Sequence, residues 1–204
     1  MHGGYFRRSG LRSLSQAVVA GQRNAFAATG GVMAQKLRVP MGFVLAAIVL
    51  LLAEPTIVSI LVGIPIALIG ALFRALAAGV IKKDSTLATS GVYALTRNPL
   101  YFGSSLLAVG FAIMSANETA AALLILPFGV IYPTVMLREE AHLSRLFPDE
   151  YRLYKSKVPR FFPRPTLHFP RSFSYSQYLS NREYNTALGF AGALAIFCLK
   201  SWLA

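Results

Sequence analysis

The sequence predicts an all-α integral membrane protein of about five transmembrane helices, in two hairpins plus a C-terminal span, with an interfacial amphipathic helix. Three observations predict it. Hydrophobic residues make up 55% of the chain and charged ones only 14%, where a soluble domain carries about 25% charged residues. Apolar runs that meet the ~20 residues a spanning helix needs recur along the chain, and mean hydropathy is +0.53. The basic residues behind the net charge of +12 flank those runs, six before Val39 and nine from Arg138 to Arg182. That is the pattern of a membrane-orientation signal rather than of a nucleic-acid-binding face.

The first apolar run, Val39 to Ile81, is long enough for two helices, and Glu54-Pro55 is its natural turn because proline disfavours a helical residue before it. A short first arm and a longer second one result. The second hairpin runs from Pro99 to Met114 and from Thr119 to Met136, interrupted by Ser115-Ala116-Asn117-Glu118. Between the hairpins Lys82 to Thr96 is polar, with Asp84-Ser85-Thr86 able to cap or turn and Gly91 giving the backbone latitude. Leu137 to Lys157 is amphipathic, broken by Pro148, and suited to lie along the membrane surface. Prolines 159, 163, 165 and 170 make Val158 to Ser174 an extended basic strap. Asn185 to Leu203 is the last span.

Residues 1–38 are read as a basic N-terminal segment, 39–165 as a membrane core, and 166–204 as a strap with an extra transmembrane helix. Met1 to Ala53 contains no acidic residue, while Arg7, Arg8, Arg12 and Arg23 lie among small and polar residues. That resembles a mitochondrial targeting segment, the alternative being a basic flank held by anionic lipid. The two turns Glu54 and Asn117-Glu118 hold no Lys or Arg, so the basic segments share one membrane face and an odd number of spans puts the C-terminus on the other. Cys198 is the only cysteine, which excludes a disulfide framework within one chain and a cysteine-based metal site. A Ser, His and Asp set is not apparent, and no metal site is expected.

Charged and polar residues where apolar segments meet water are costly unless something uses them. They concentrate at Arg97-Asn98-Pro99-Leu100-Tyr101, at Glu139-Glu140, and from Tyr151-Arg152-Leu153-Tyr154 to Val158-Pro159-Arg160. With Leu87-Ala88-Thr89-Ser90-Gly91-Val92-Tyr93 upstream, this spacing resembles the isoprenylcysteine carboxyl methyltransferase family and its phospholipid-methylating relatives, over Gly70 to about Pro163. The resemblance implies a membrane enzyme that uses S-adenosylmethionine as cofactor and methylates a lipophilic acceptor: a prenylated carboxylate, a lipid amine or a quinone-like phenol. It places Ser85, Thr86, Leu87, Ala88 and Tyr93 along the cofactor, completes that wall with Asn98, Pro99, Leu100 and Tyr101, and turns Glu139 and Glu140 toward it. Neighbouring helical residues point about 100° apart, so one of the two carboxylates is expected to do the work. A solvated helix start is the plain alternative for the pair.

Arg74, Arg97 and Arg160 are candidate contacts to substrate or phosphate. For Arg74 the expected partners are a cofactor carboxylate, Glu139 or a lipid phosphate, or it snorkels to the interface. Pro99 suits the first position of a helix, whose free amides favour an anion. One departure from the family pattern stands out: Asn98 replaces the signature histidine, keeping hydrogen bonding but losing the ring and its proton-relay capacity.

Two functional classes follow. One is an S-adenosylmethionine-dependent membrane methyltransferase whose partners are membrane lipids and a lipophilic acceptor, with no nucleic acid. The other is a catalytically reduced accessory subunit of a mitochondrial inner-membrane complex, motivated by Asn98, the Arg-rich N-terminus and the appended tail. A sterol-reductase-like relative is a third, disfavoured by the short chain. Apart from mitochondria, endoplasmic reticulum and bacterial plasma membrane are the expected locations.

Overall fold

A computed structural model describes residues 41–82, 85–166 and 173–203. The basic segment 1–38, Asp84 of the expected cap and residues 167–172 of the strap lie outside the described residues. All regular structure among the described residues is helical. Helix α1 spans Met41–Leu52, α2 Ile57–Ala78, α3 Pro99–Ser115, α4 Glu118–Leu146, α5 Pro148–Lys157, α6 Tyr175–Ser180 and α7 Tyr184–Leu203, with one 3-10 turn at Gly91–Ala94. Three of them, α2, α4 and α7, are long and apolar enough to cross a membrane. The helices α1 and α3 are apolar but shorter.

The turns follow the sequence's punctuation. Thr56 caps α2 in a reciprocal box: its hydroxyl accepts from the Ser59 amide at 3.1 Å, and Ser59 Oγ accepts from the Thr56 amide at 2.9 Å. Gly91 has φ 58°, a left-handed conformation that glycine adopts without a Cβ penalty. Ala116 ends α3 at φ 46°, and Asn117 caps α4 by accepting from the Ala120 amide at 3.0 Å.

Helices α2 and α3 pack through glycine. A Cβ placed at Gly70 would lie 2.5 Å from the Gly103 carbonyl oxygen, and one at Gly103 would lie 2.6 Å from that of Gly70. Farther along the same pair of helices, Gly110 abuts Ala67 and Gly63. Small residues let backbones approach where lipid gives no hydrophobic drive between helices.

The tail is built into this core. Phe197 of α7 is fully buried with Ala53, Ile60, Ala67 and Met114. Lys200 Nζ donates to the carbonyls of Leu50 at 2.9 Å, Leu51 at 3.0 Å and Ala53, a cation capping the C-terminal end of α1. At the other end of α7, Arg74 of α2 meets Glu183 at 2.7 Å.

The amphipathic stretch differs from expectation in one respect. Residues 137–146 do not form a separate surface helix but continue α4 without a break, because no glycine or proline lies between Met136 and Leu146. Only α5 is separate, starting at Pro148. The pair Glu139-Glu140 therefore sits in the last turns of α4, and the helix-start alternative does not hold.

Candidate functional site

Pro99 starts α3 at its first position, and Asn98 precedes it. This fixes the signature at the foot of α3, facing the end of α4 and the strap. The strap is stitched to the residues before α3 by backbone and side-chain bonds. The Arg97 amide donates to the Pro159 carbonyl and the Arg164 amide to the Leu95 carbonyl, each at 2.9 Å. Thr96 Oγ1 donates to the carbonyls of Arg160 at 3.2 Å and Phe161 at 2.9 Å, and Asn98 Nδ2 donates to the Arg160 carbonyl at 2.9 Å. Asn98 is thus a clip on the strap.

That clip places the Arg160 guanidinium on Glu140 in a two-pronged contact, Nε to Oε1 at 3.0 Å and Nη2 to Oε2 at 3.1 Å. Arg97 Nη1 reaches the same Oε1 at 3.2 Å and donates to the Tyr151 hydroxyl at 3.2 Å. Two arginines thus share one carboxylate. The hydrogen bonds and charge of Glu140 hold the Arg160 guanidinium even more firmly protonated than usual. Burial raises the Tyr151 phenol, against the lowering effect of the Arg97 hydrogen bond.

The Arg97 side chain is only 8% exposed, and its Nε is buried with no partner among the described residues. A buried guanidinium N–H without an acceptor is costly, so this atom can take an acceptor that the described residues do not supply. On the exposed flank of α4, Glu139 accepts from the Tyr101 hydroxyl at 2.7 Å. The two adjacent carboxylates therefore serve different partners, as their angular separation on the helix requires.

An apolar groove of about 610 Å³ runs between α3 and α4, lined among others by Ser105, Val109, Phe128, Tyr132 and Met136, and by Arg160 and Phe161 of the strap. The arginine that grips Glu140 is thus also part of the wall of an apolar groove.

Residues 73–150 match the family model described as phospholipid methyltransferase. That segment is of the phospholipid methyltransferase family. It holds the signature, both carboxylates and α3, and it stops before Arg160. Over 127 residues, 62% of this chain, a cobalt-zinc-cadmium resistance protein of Cupriavidus metallidurans is 35% identical, the match covering 57% of that protein. A nickel-cobalt-cadmium resistance protein of Alcaligenes xylosoxydans xylosoxydans is also 35% identical over 127 residues, covering 58% of its length. A protein-S-isoprenylcysteine O-methyltransferase of Schizosaccharomyces pombe is 33% identical over 94 residues, 46% of this chain and 40% of that protein. The chain thus spans little more than half the length of the two metal-resistance relatives, and less of the methyltransferase. No solved structure matches it significantly.

Within this methyltransferase-family segment the expected cofactor residues divide. Tyr93 is buried in a cluster with Ala77 and Val92, against which Ala88 and Leu100 pack, and burial raises its phenol. Pro99 is buried and Asn98 is engaged with the strap. Ser85 and Thr86 are exposed, and Leu87 is half-buried. None of these residues, nor Tyr101, Glu139 or Glu140, lines the apolar groove; Arg160 does.

Arg74 finds a partner that was not among the expected ones. Its Nε and Nη2 donate to the Glu183 carboxylate at 2.7 and 3.0 Å, and its guanidinium also reaches Ser104 Oγ and, at 3.2 Å, Thr186 Oγ1. Glu183 was legible as a candidate, since it is the last acidic residue of the chain and stands at the foot of α7, while Arg74 is the only cation in the run from Val39 to Ile81. Thr96 carries no such signal, and Tyr151 lies in a run the sequence singled out without its partner Arg97. Their roles emerge only when α5 and the strap fold back onto the signature.

The donor set suits a zwitterionic methyl donor: Arg97 Nε–H is open to a carboxylate, and exposed Glu139 can accept from an ammonium or a hydroxyl. Among the described residues no three His, Cys, Asp or Glu side chains come together as metal ligands.

Proposed function

We propose that this chain is an S-adenosylmethionine-dependent membrane methyltransferase acting on a lipophilic acceptor of the isoprenylcysteine carboxylate or lipid amine class. The observation that carries the reading is the position of Arg160, at once in the wall of the apolar groove and half of the clamp on Glu140. The groove takes the acceptor's hydrocarbon, and because lipid tails are as apolar as its wall, the fit there rests on close packing rather than on transfer out of water. The acceptor's polar end then lies beside the two arginines.

The cofactor, when bound, supplies an electrophilic methyl group on a sulfonium, and transfer to a carboxylate or amine needs in-line alignment more than acid or base help. Within that frame the residues have distinct tasks. Arg97 would hold a carboxylate through its buried Nε–H. Glu140, neutralised by two arginines, positions both guanidiniums. Tyr101 and Glu139 would bind hydroxyl or amino groups, and the strap, pinned by Thr96 and Asn98, holds the Arg160 guanidinium against Glu140.

Calorimetric binding of S-adenosylhomocysteine to the purified protein tests this, with Tyr101→Ala and Glu139→Ala as controls. Micromolar binding that both variants lose supports the reading. Absence of binding by folded protein overturns it.

A second reading is a catalytically reduced accessory subunit of a mitochondrial inner-membrane complex. The observation that favours it is Asn98, which stands at the histidine position and has its amide engaged on the strap. Stoichiometric co-purification from mitochondrial membranes in mild detergent, together with no cofactor binding, is its expected signature.

A further inference from the structure

A second cavity, of about 810 Å³, lies between the connector, α5 and the strap, and the proposed methyl transfer does not use it. Its wall includes Thr89, Glu150, Leu153, Tyr154, Lys157 and Arg164. Lys157 and Arg164 are exposed and enter no ion pair among the described residues, and neither does Glu150. The Tyr154 hydroxyl is already engaged, donating to the Tyr93 carbonyl at 2.7 Å. The charged groups of the wall are therefore Lys157, Arg164 and Glu150, two cations to one carboxylate.

Two cations with no acidic partner among the described residues disfavour S-adenosylmethionine, whose sulfonium and ammonium are both positive, and favour a phosphate. The cavity also lies among segments outside the spans. Leu153 of the wall and Phe162, two residues before Arg164, carry apolar side chains that are 60% and 76% exposed, and apolar side chains interspersed with cations mark a segment that sits at the headgroup level of a bilayer. Glu150 adds a carboxylate able to accept from a hydroxyl.

We propose that this cavity is a phosphate site for an anionic phospholipid with a hydroxylated headgroup, in which Lys157 and Arg164 take the phosphodiester and Glu150 the headgroup hydroxyls. Its occupant anchors α5 and the strap to the bilayer and is not the methyl acceptor. The site stands apart from the methyltransferase reading, since none of its wall is shared with the apolar groove.

The test uses delipidated full-length protein in a neutral detergent. Binding of short-chain phosphatidylglycerol, short-chain phosphatidylcholine and glycerol 3-phosphate is measured by calorimetry for the wild type, Lys157→Gln with Arg164→Gln, and Arg138→Gln with Arg145→Gln. Expected is phosphatidylglycerol affinity at least tenfold above phosphatidylcholine, lost at least tenfold in the cavity variant and retained in the α4 variant. Weaker binding of glycerol 3-phosphate identifies a lipid as the source, and equal binding identifies a free phosphate ester at the same site. Equal affinity for the two lipids, or equal losses in both double variants, overturns the proposal. Glu150→Lys guards against misfolding of the cavity variant: the added cation is expected to strengthen binding of inorganic phosphate, which has no headgroup hydroxyl for Glu150 to take, and no change counts against the site.

Discussion

Arg74 and Glu183 lie 109 residues apart in sequence and meet in a two-pronged contact at 2.7 and 3.0 Å, which ties the second helix to the last one. Ser104 and Thr186 satisfy further guanidinium protons, so the pair links α2, α3 and α7. Removing one partner strands the other charge, whereas removing both strands neither. Glu183→Ala is therefore expected to lower stability by about 3 kcal/mol. Arg74→Leu combined with Glu183→Leu is expected to recover most of that loss. Thermal unfolding in detergent of Glu183→Ala, of Arg74→Leu and Glu183→Leu singly, and of the double variant checks this, and additive losses would contradict the coupling.

The reciprocal contact of Gly70 and Gly103 gives a second expectation. Each Cβ would meet the opposing backbone at 2.5 or 2.6 Å, and backbone cannot rotate away as a side chain can. Gly103→Val should separate α2 from α3 and cost upwards of about 3 kcal/mol, at the severe end of overpacking. At Gly192 on α7, by contrast, an added Cβ would meet nothing within 4 Å. Gly192→Ala should be neutral or stabilising by up to about 1 kcal/mol, because alanine is the better helix former. Unfolding midpoints of the two variants, compared in one detergent, decide the matter.

The two hairpins were legible because their breaks have local causes, Glu54-Pro55 in the first and Ser115-Ala116-Asn117-Glu118 in the second, with Pro99 at the start of α3, whereas the short α6 carried no such mark. The membrane class followed from apolar runs and flanking cations, which need no tertiary information. The partners of the charged residues were not legible, because Arg74 with Glu183, and Arg97 with Tyr151, join segments that only folding brings together. The family signature named residues that do meet in space, Arg97 with Glu140 and Tyr101 with Glu139. It could not show that Asn98 clips the strap or that Tyr93 packs into a core, because those facts depend on how α5 and the strap return.

Arg160 offers a test of the two-pronged clamp. Lysine keeps the charge but loses the planar fork that meets both oxygens of Glu140. A hydrogen bond to a charged group contributes about 1.5–3 kcal/mol, equivalent to roughly 10–100-fold in rate. Arg160→Lys is expected to lower kcat/KM for methyl transfer by that factor, with little change in unfolding midpoint because the side chain is half exposed. Radiolabelled methyl transfer to lipid extract, set beside thermal unfolding, separates a catalytic from a purely structural role.

Tyr93 and Tyr154 carry a pH expectation whose sign follows from burial. Both phenols lie outside the spans, and burial, the largest cause, raises both above the ordinary value of 10.0. In the folded protein they keep their protons where the unfolded chain has lost them, so rising pH pulls toward the unfolded state. Their contribution is fully present below pH 10 and declines as pH climbs beyond it. Tyr154→Phe removes one of the two phenols and leaves the Tyr93 carbonyl without its 2.7 Å donor, which costs about 1–3 kcal/mol at neutral pH. The variant should thus start less stable yet lose less between pH 9 and 11. Unfolding midpoints across that range check it, and parallel curves for the two proteins would show that the Tyr154 phenol is not the alkaline-sensitive group.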